Sequence, residues 1–143
     1  LEEDYKISTD VWSVTSYKEL RRDAMDAERW NMLHPGEEPR ISYVAKMLKD
    51  EEGVFVAASD YVKTLPDSIA KWFPSHLYAL GTDGFGRSEG RSSLRDFFEV
   101  DAKHIVVATL YALSKEDKIK AAVVDKAIKD LGVDSSKPNP LTV

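Results

Sequence analysis

The sequence has 143 residues, of which 43% are hydrophobic and 31% charged, an ordinary composition for one globular domain. Its 20 lysines and arginines against 25 aspartates and glutamates give a net charge of −5, which favours neither a nucleic-acid partner nor an acidic membrane surface. The chain has no cysteine, which excludes disulfides, thiolate zinc sites and cysteine nucleophiles and suits the cytoplasmic location that we expect. The longest apolar run, residues 105–113, is about half the length that a membrane-spanning helix needs.

The first third of the chain predicts one strand and two helices. Residues 11–15 alternate in polarity and are rich in β-branched side chains, which indicates a short strand. Ser16 and Glu19 have the spacing of a capping box, which predicts that a helix begins here. Residues 35–39 contain two prolines and a glycine and interrupt the helix, and a second helix is predicted over residues 41–48.

The middle of the chain predicts two strands, each followed by a helix. Residues 54–58 form a continuous apolar run, typical of a strand that is buried on both faces. Asp60 is a suitable N-cap for a helix that reaches Phe73. A second strand, residues 77–80, leads into a glycine-rich loop and then a short helix over residues 92–98.

The last third predicts two helices and a tail. Asp101 should cap a long helix that is apolar nearly all round and therefore buried. An amphipathic helix around residues 124–131 ends at Gly132, and the polar, proline-rich tail of residues 134–143 should be frayed. The alternation of strands and helices favours a parallel α/β sheet covered on both faces.

Four glycines fall within residues 81–90, the glycine loop. Such density means a backbone that takes positive φ or lets another group come close. The loop also follows the carboxyl end of a strand, where open α/β sheets place their functional sites. The loop is therefore either a working site or a tightly packed corner, and one open interpretation is a free-standing binding module that uses it for an anionic ligand.

Two catalytic motifs resemble the loop without fitting it. Residues 81–88 have the spacing of a phosphate-binding P-loop, but Asp83 would repel phosphate and Glu89 with Gly90 interrupts the helix start. Residues 86–90 spell Gly-x-Ser-x-Gly, yet Ser88 lies eight residues past the strand instead of on its turn. Neither motif predicts catalysis here.

The loop and several other blocks together resemble the carboxyl-terminal domain of the homodimeric bacterial pyruvate dehydrogenases, the decarboxylating and acetyl-transferring subunits of the pyruvate dehydrogenase complex. The resemblance covers nearly the whole chain, from about Asp4 to Pro140. It rests on residues 10–16, 26–35, 59–61, 81–88 and 94–101. The block Glu-Arg-Trp-Asn-Met-Leu-His-Pro, residues 28–35, is its most specific part and argues against transketolase itself.

The resemblance implies a three-layer α/β/α domain over residues 1–143, with a mixed, mostly parallel sheet of the transketolase carboxyl-terminal type. It implies a longer enzyme that uses thiamine diphosphate and Mg²⁺ to decarboxylate pyruvate and acetylate lipoyl groups, on the way from glycolysis to acetyl-CoA. The implied partners are the rest of the parent chain, a homodimer mate and the dihydrolipoyl acetyltransferase core. Because the chain starts at Leu1 and not at methionine, we expect one or two strands and a helix to precede Tyr5 in that enzyme.

No catalytic or cofactor-binding residue can be carried over from the family. Thiamine enzymes of this kind hold the diphosphate and Mg²⁺ with a Gly-Asp-Gly motif and a later asparagine, and residues 81–84 do not match it. The family's active-site histidines and activating glutamate lie upstream. We therefore expect this chain alone to be inactive and to support dimer and inter-domain packing.

Five residues are the candidates for that packing role. Asp83, Phe85 and Arg87 belong to the glycine loop, where Asp83 and Arg87 either reach neighbouring domains or pair with each other internally. Trp30 and His34 lie in the specific block, where Trp30 is an inter-domain anchor or core packing and His34 an interface contact or a loop residue that binds backbone. The three histidines have no short spacing between them, so no metal site is predicted.

Overall fold

The computed structural model describes residues 1–143 as seven α-helices, two 3₁₀-helices and a two-stranded parallel sheet. The α-helices are α1 (Glu2–Tyr5), α2 (Tyr17–Leu33), α3 (Tyr43–Leu48), α4 (Thr64–Asp67), α5 (Arg91–Phe97), α6 (Ala102–Lys115) and α7 (Ala121–Asp130). The strands are β1 (Phe55–Ala58) and β2 (Leu77–Leu80), and the 3₁₀-helices are Ala70–Trp72 and Pro140–Thr142. None of the helices has the length and apolar character that crossing a bilayer requires.

The sheet joins β1 and β2 in parallel, with register partners from Phe55 with Leu77 to Ala58 with Leu80. Helix α6 contacts both strands, and α4 lies in the connection between them. This strand–helix–strand order confirms the α/β class. The burial of β1 differs from the prediction, because the strand is only partly buried.

The first hydrophobic core lies between α2, α3 and the segment that follows α4. It is built on Ala24, Val44, Leu48 and Ile69, with the Phe55 ring packed against it. Helix α2 begins as predicted, since the Ser16 hydroxyl accepts a hydrogen bond from the Glu19 amide at 3.2 Å. The return half of the capping box is not formed, because the Glu19 carboxylate pairs with Arg22 instead.

The second core joins α6 to α7 through Leu110, Val124 and Ala127. Helix α6 begins as predicted at Asp101, whose carboxylate accepts the His104 amide at 3.1 Å. The prediction that α6 is buried holds fully for only three of its residues, Thr109, Leu110 and Ala112. Most of its other residues are half-buried, although the helix contacts both strands and α7.

The predicted strand at residues 11–15 is not formed. Residues 8–15 have no regular secondary structure and make no hydrogen bond with the rest of the chain. Their side chains are also uncovered, with Val11 94% and Trp12 50% exposed. Alternating polarity favours a strand, but a strand also needs a neighbour to pair with, and none is present here.

The predicted helix from Asp60 to Phe73 is replaced by two shorter turns, α4 and the 3₁₀-helix Ala70–Trp72. Asp60 is not an N-cap, because its carboxylate binds the Arg95 guanidinium at 3.1 Å. The second predicted helix begins at Tyr43 and not at residue 41, since the Ser42 hydroxyl accepts the Ala45 amide and sets the start. The tail also differs from the frayed end that we predicted, since it ends in a 3₁₀-helix that packs on the glycine loop.

Candidate functional site

Gly81 marks the passage from β2 into the glycine loop, and it is buried. A Cβ atom at this position would lie 2.6 Å from the Tyr61 carbonyl oxygen and 2.8 Å from the Lys63 nitrogen. Real Cβ atoms do not approach backbone this closely, so only glycine fits. The first glycine of the loop therefore serves a tight contact with the segment that follows β1.

The next two residues fix the loop to that same segment. The Thr82 amide donates to the Tyr61 carbonyl at 2.9 Å, and the Thr82 hydroxyl donates to the Asp60 carbonyl at 2.8 Å. The Asp83 carboxylate accepts the Lys63 amide at 2.9 Å, with the Lys63 ammonium 4.0 Å from its other oxygen. Asp83 therefore holds the shape of the loop, through Lys63 and not through Arg87.

Beyond Asp83 the loop turns outward and presents an aromatic ring. The guanidinium carbon of Arg87 lies 5.2 Å from the centre of the Phe97 ring, within the range of a cation–π contact. Between these anchored residues, Phe85 is 83% exposed, the largest exposed fraction of any aromatic residue in the chain. A phenylalanine held out on an anchored loop is a ready-made contact for a neighbouring surface.

A second aromatic feature lies at the carboxyl end of α2. The rings of Trp30 and His34 stack with their centres 4.3 Å apart and their planes 9° from parallel. The Arg40 guanidinium also lies over the Trp30 ring, at 4.1 Å from its centre. We call these three residues the aromatic stack.

The Asn31 side chain holds the loop that contains Arg40 against helix α2. Its side-chain amide donates to the Arg40 carbonyl at 2.9 Å, and its oxygen accepts the Arg40 amide at 2.7 Å. His34 is held as well, with Nδ1 2.8 Å from the Trp30 carbonyl oxygen. The sequence analysis did not single out Asn31 for this brace, although an asparagine one turn before a Pro-Gly loop is a signal for it.

Apolar side chains around the aromatic stack have no partner in this chain. Met32 is 72% exposed, Leu33 52% and Ile41 67%. Large side chains of this kind gain about 1.5–3 kcal/mol each when they are fully buried, so their joint exposure marks a surface suited to contact.

The carboxyls of Glu28 and Asp96 are held in ion pairs and are not prepared for proton transfer. The Lys71 ammonium bonds Glu28 at 2.7 Å and holds the pKa of this carboxyl below its usual value, helped by the Trp72 indole at 2.9 Å. In the same way, Lys103 lowers the pKa of Asp96. Carboxyls with lowered pKa values are ionised at neutral pH and have no proton to donate, which excludes them as general acids there.

One cluster contains residues of the types that bind metal ions. Ligand atoms of Asp96, Asp101 and His104 lie within 4.8 Å of one another. The Lys103 ammonium already pairs with Asp96 and lies 3.9 Å from Asp101, while His104 Nδ1 lies 2.6 Å from Asp101. This is a satisfied ion-pair network in which a lysine provides the positive charge.

The two catalytic motifs found in the sequence have no matching geometry. Ser88 makes no hydrogen bond to a histidine, and the nearest histidine in sequence after it, His104, is engaged by Asp101. A P-loop binds phosphate through its loop, but in this chain Asp83 and Glu89 bring negative charge to the corresponding loop. The Arg95 guanidinium is already bound by Asp60. These contacts also weigh against an anion-binding role for the loop.

The five predicted site residues lie on two separate surfaces. Asp83, Phe85 and Arg87 belong to the glycine loop, while Trp30 and His34 belong to the aromatic stack. No hydrogen bond, ion pair or ring contact joins the two groups. The structure therefore does not bring the five residues together into one site.

Comparisons with known proteins identify the family of this chain. A family model described as "Transketolase-like TK C-terminal domain" matches residues 1–101, which include both surfaces. The chain is 49% identical over 142 residues to the "Pyruvate dehydrogenase E1 component" of Pseudomonas aeruginosa, and 48% identical over 141 residues to that of Escherichia coli K12. The protein of the same name from Cupriavidus necator is 45% identical over 143 residues. These alignments cover 99%, 98% and 100% of this chain but 16% of each relative, so the chain spans about one sixth of their length.

Proposed function

Because this chain belongs to the transketolase-like TK C-terminal domain family, we propose that it is the carboxyl-terminal packing domain of a pyruvate dehydrogenase E1 component. On this proposal the whole enzyme is a bacterial cytoplasmic homodimer that decarboxylates pyruvate with thiamine diphosphate and Mg²⁺. It passes the acetyl group to lipoyl groups of an acetyltransferase core. The domain contributes surfaces that hold the enzyme's parts together, and the reacting groups lie elsewhere.

The observation that carries the proposal is the amount of uncovered surface. The chain exposes 9978 Å², and only 15 of its 143 residues are buried. A compact monomer of 16.1 kDa exposes about 7,400 Å². The surplus of about 2,600 Å² matches one partner's share of a large obligate interface, since such interfaces bury up to about 5,000 Å² or more over both partners, which supports a domain that works against neighbours.

The unpaired segment of residues 8–15 supports the same proposal. Its backbone N–H and C=O groups are unpaired within the chain, and its apolar side chains Val11, Trp12 and Val14 are exposed. An unpaired segment with exposed β-branched and aromatic side chains fits a partner strand, which would satisfy the backbone and cover one face. We propose that a strand from elsewhere in the longer enzyme pairs with it.

The residues present do not fit a thiamine diphosphate–Mg²⁺ site. Asp83 is the carboxylate that the Gly-Thr-Asp-Gly sequence offers, and its oxygens already face the Lys63 amide and ammonium. A metal ligand has to keep its oxygens free for the ion. We therefore assign no step of the reaction to this domain.

The first test is an activity measurement on the 143-residue chain alone. With thiamine diphosphate, Mg²⁺, pyruvate and ferricyanide as electron acceptor, we expect no reduction above the rate without protein. The full-length enzyme assayed under the same conditions serves as the positive control. Turnover by the isolated chain would refute the proposal that the reacting groups lie in other parts of the enzyme.

The second test probes the glycine loop in the full-length enzyme. We expect Phe85→Ala to weaken subunit association about 10- to 100-fold in sedimentation equilibrium, because buried aromatic anchors carry much of an interface's energy. Arg87→Ala should weaken association or turnover as well, since it removes the contact with Phe97. Lys129→Ala, an exposed lysine with no ion pair, is the matched control. Unchanged association and turnover in both loop variants would show that the loop is not part of the subunit interface.

The rival interpretation as an anion-binding module is tested by calorimetry. We expect inorganic phosphate titrated into the chain to give only heat of dilution. Saturable heat at micromolar phosphate, lost in a variant of the loop arginine, Arg87→Ala, would favour the binding module over the packing domain.

A further inference from the structure

We infer that the carboxyl-terminal tail, residues 137–141, is a strap that positions the glycine loop for docking. The inference rests on the proposed function, because docking is what the position of the loop would serve. The tail lies outside residues 1–101, the part of the chain that the family model matches.

One end of the strap is Lys137, which caps helix α5 from 41 residues away. Its ammonium donates to the Asp96 carbonyl at 2.6 Å and lies 3.7 Å from the Glu99 carboxylate. Its side chain is only 20% exposed, the smallest fraction of any lysine or arginine in the ion pairs of this chain. A cation at the carboxyl end of a helix gives a carbonyl of the last turn a second, charged donor and interacts favourably with the helix dipole.

The end of α5 needs such support. Glu99 has a φ of 61°, a left-handed conformation that few residues other than glycine adopt. It is held by bonds from the Glu99 amide to the Asp96 carbonyl at 3.2 Å and from the Val100 amide to the Arg95 carbonyl at 2.9 Å. Lys137 adds its contacts with Asp96 and Glu99 at this same turn.

The other end of the strap presses on Gly84 in the glycine loop. A Cβ atom at Gly84 would lie 3.0 Å from the Pro140 carbonyl oxygen and 3.2 Å from the Leu141 Cα. Gly84 also has a φ of 93°, which side chains rarely tolerate. The backbone of the tail therefore lies directly against the backbone of the loop at a position open only to glycine.

Local chemistry stiffens the tail between these two contacts. The Asn139 side chain accepts the Leu141 amide at 2.9 Å, and the Asn139 carbonyl accepts the Thr142 amide at 2.9 Å. Pro138 and Pro140 restrict φ on either side of Asn139. A pre-formed turn loses less conformational entropy when it docks, so these residues make the tail an effective strap.

Together these contacts fix the exposed part of the loop from both sides. Asp83 ties the loop to the segment after β1, and the strap ties Gly84 to the end of α5. The Phe97 ring has the Arg87 guanidinium at 5.2 Å and the Lys137 ammonium at 5.6 Å. Phe85 therefore lies between two anchored neighbours, Gly84 and Arg87, in a position that depends on the tail.

The strap is tested by hydrogen exchange in the 143-residue chain. We expect Lys137→Met to speed exchange of the Phe98, Glu99 and Val100 amides by about tenfold, because the cap of α5 is lost. Lys137→Arg, which keeps the charge, should restore most of the protection, and Lys129→Met is the matched control without effect. Unchanged exchange in Lys137→Met would overturn the strap.

A second pair of variants tests the Gly84 contact independently of charge. Gly84→Ala places a Cβ against the tail and should produce the same faster exchange at the end of α5. Gly86→Ala, whose Cβ meets nothing within 4 Å, should not. Equal exchange in the two variants would overturn the strap at this end.

The docking role is then measured in the full-length enzyme, by the subunit dissociation constant of Lys137→Met. We expect association to weaken about tenfold, in the same direction as in Phe85→Ala. Faster exchange with unchanged association in both Lys137→Met and Phe85→Ala would refute docking by the loop and leave the strap standing. Weaker association in Phe85→Ala alone would support docking and overturn the positioning role of the tail.

Discussion

At the scale of single residues, the glycines of the loop have different structural roles. Gly81 lets the backbone around Tyr61 and Lys63 come close, and Gly84 lets the tail come close at positive φ. Gly86 and Gly90 have open space where a Cβ would be. The loop is therefore glycine-rich partly for packing, and only two of its glycines are required by close backbone contacts.

We predict that Gly81→Ala destabilises the chain and Gly86→Ala does not. A Cβ at Gly81 would overlap two backbone atoms that cannot move aside cheaply, which should cost about 1–3 kcal/mol. An exposed Gly86→Ala should stay within about 0.5 kcal/mol of the parent. Urea unfolding of both variants measures the difference in stability. Equal midpoints would show that the glycine loop can move away from the backbone of Tyr61 and Lys63 without a loss of stability.

Residue partners were the least predictable feature from the sequence. Asp83 and Arg87 are close along the chain and suggested a mutual pair, but Asp83 binds Lys63, 20 residues earlier. Lys137 reaches Asp96 across 41 residues. Such contacts depend on where whole elements pack, and no local pattern of the sequence encodes them.

At the scale of elements, end signals and apolar periodicity predicted most of the structure. The N-caps Ser16 and Asp101 both accept hydrogen bonds at the predicted helix starts. The strands at Phe55–Ala58 and Leu77–Leu80 also form where apolar runs predicted them. These features are encoded within a few residues, which is why sequence reasoning can find them.

The Asp101 cap can be tested by substitution. Asp101→Ala leaves the first turn of α6 without its side-chain acceptor and should lower the free energy of unfolding by about 1 kcal/mol. Asp125→Ala removes an exposed carboxylate of α7 that makes no ion pair and serves as the control. A loss of equal size in both variants, measured by urea unfolding, would show that the cap contributes nothing specific.

The ion pair between Glu28 of α2 and Lys71 of the 3₁₀-helix Ala70–Trp72 makes the stability of the chain depend on pH. The Lys71 ammonium, with Trp72, lowers the pKa of Glu28 in the folded chain below its ordinary value of 4.5. A carboxyl of this kind stabilises the fold above its unfolded pKa, and the gain is lost as pH falls through the lower folded pKa. The free energy of unfolding should therefore fall as the pH drops below about 4.5.

The variant Glu28→Gln isolates this contribution. Its unfolding free energy should change less between pH 6 and pH 3 than that of the parent chain, because one linked proton has been removed. The remaining slope comes from the other carboxyls with lowered pKa values, Asp96 and Asp134. Glu52→Gln, at an exposed carboxyl without an ion pair, should keep the full slope, and identical slopes in both variants would contradict the assignment.

At the scale of the whole molecule, the chain is organised around two small cores and leaves much of its apolar surface uncovered. One core joins α2 and α3, and the other joins α6 and α7. The glycine loop and residues 8–15 carry exposed apolar side chains, as do Met32, Leu33 and Ile41 beside the aromatic stack. The strand prediction at residues 11–15 failed for this reason, since pairing is a property of the assembled sheet and not of one segment.

Hydrogen exchange of residues 9–15 tests this view of the whole molecule. In the 143-residue chain these amides have no acceptor and should exchange at the rate of an unstructured peptide. In the full-length enzyme, where we propose a paired strand, the same amides should be protected by at least about 100-fold. Helix α6 should be protected in both proteins, and equally fast exchange of residues 9–15 in both would refute the pairing.

The unpaired segment also affects how the chain behaves in isolation. Residues 11–15 carry no charge, and a stretch with exposed apolar side chains and unpaired amides is a template on which another copy can form a sheet. Concentrated solutions of the isolated chain should therefore aggregate through this stretch. Val11→Lys, at a side chain that is 94% exposed, should reduce this aggregation.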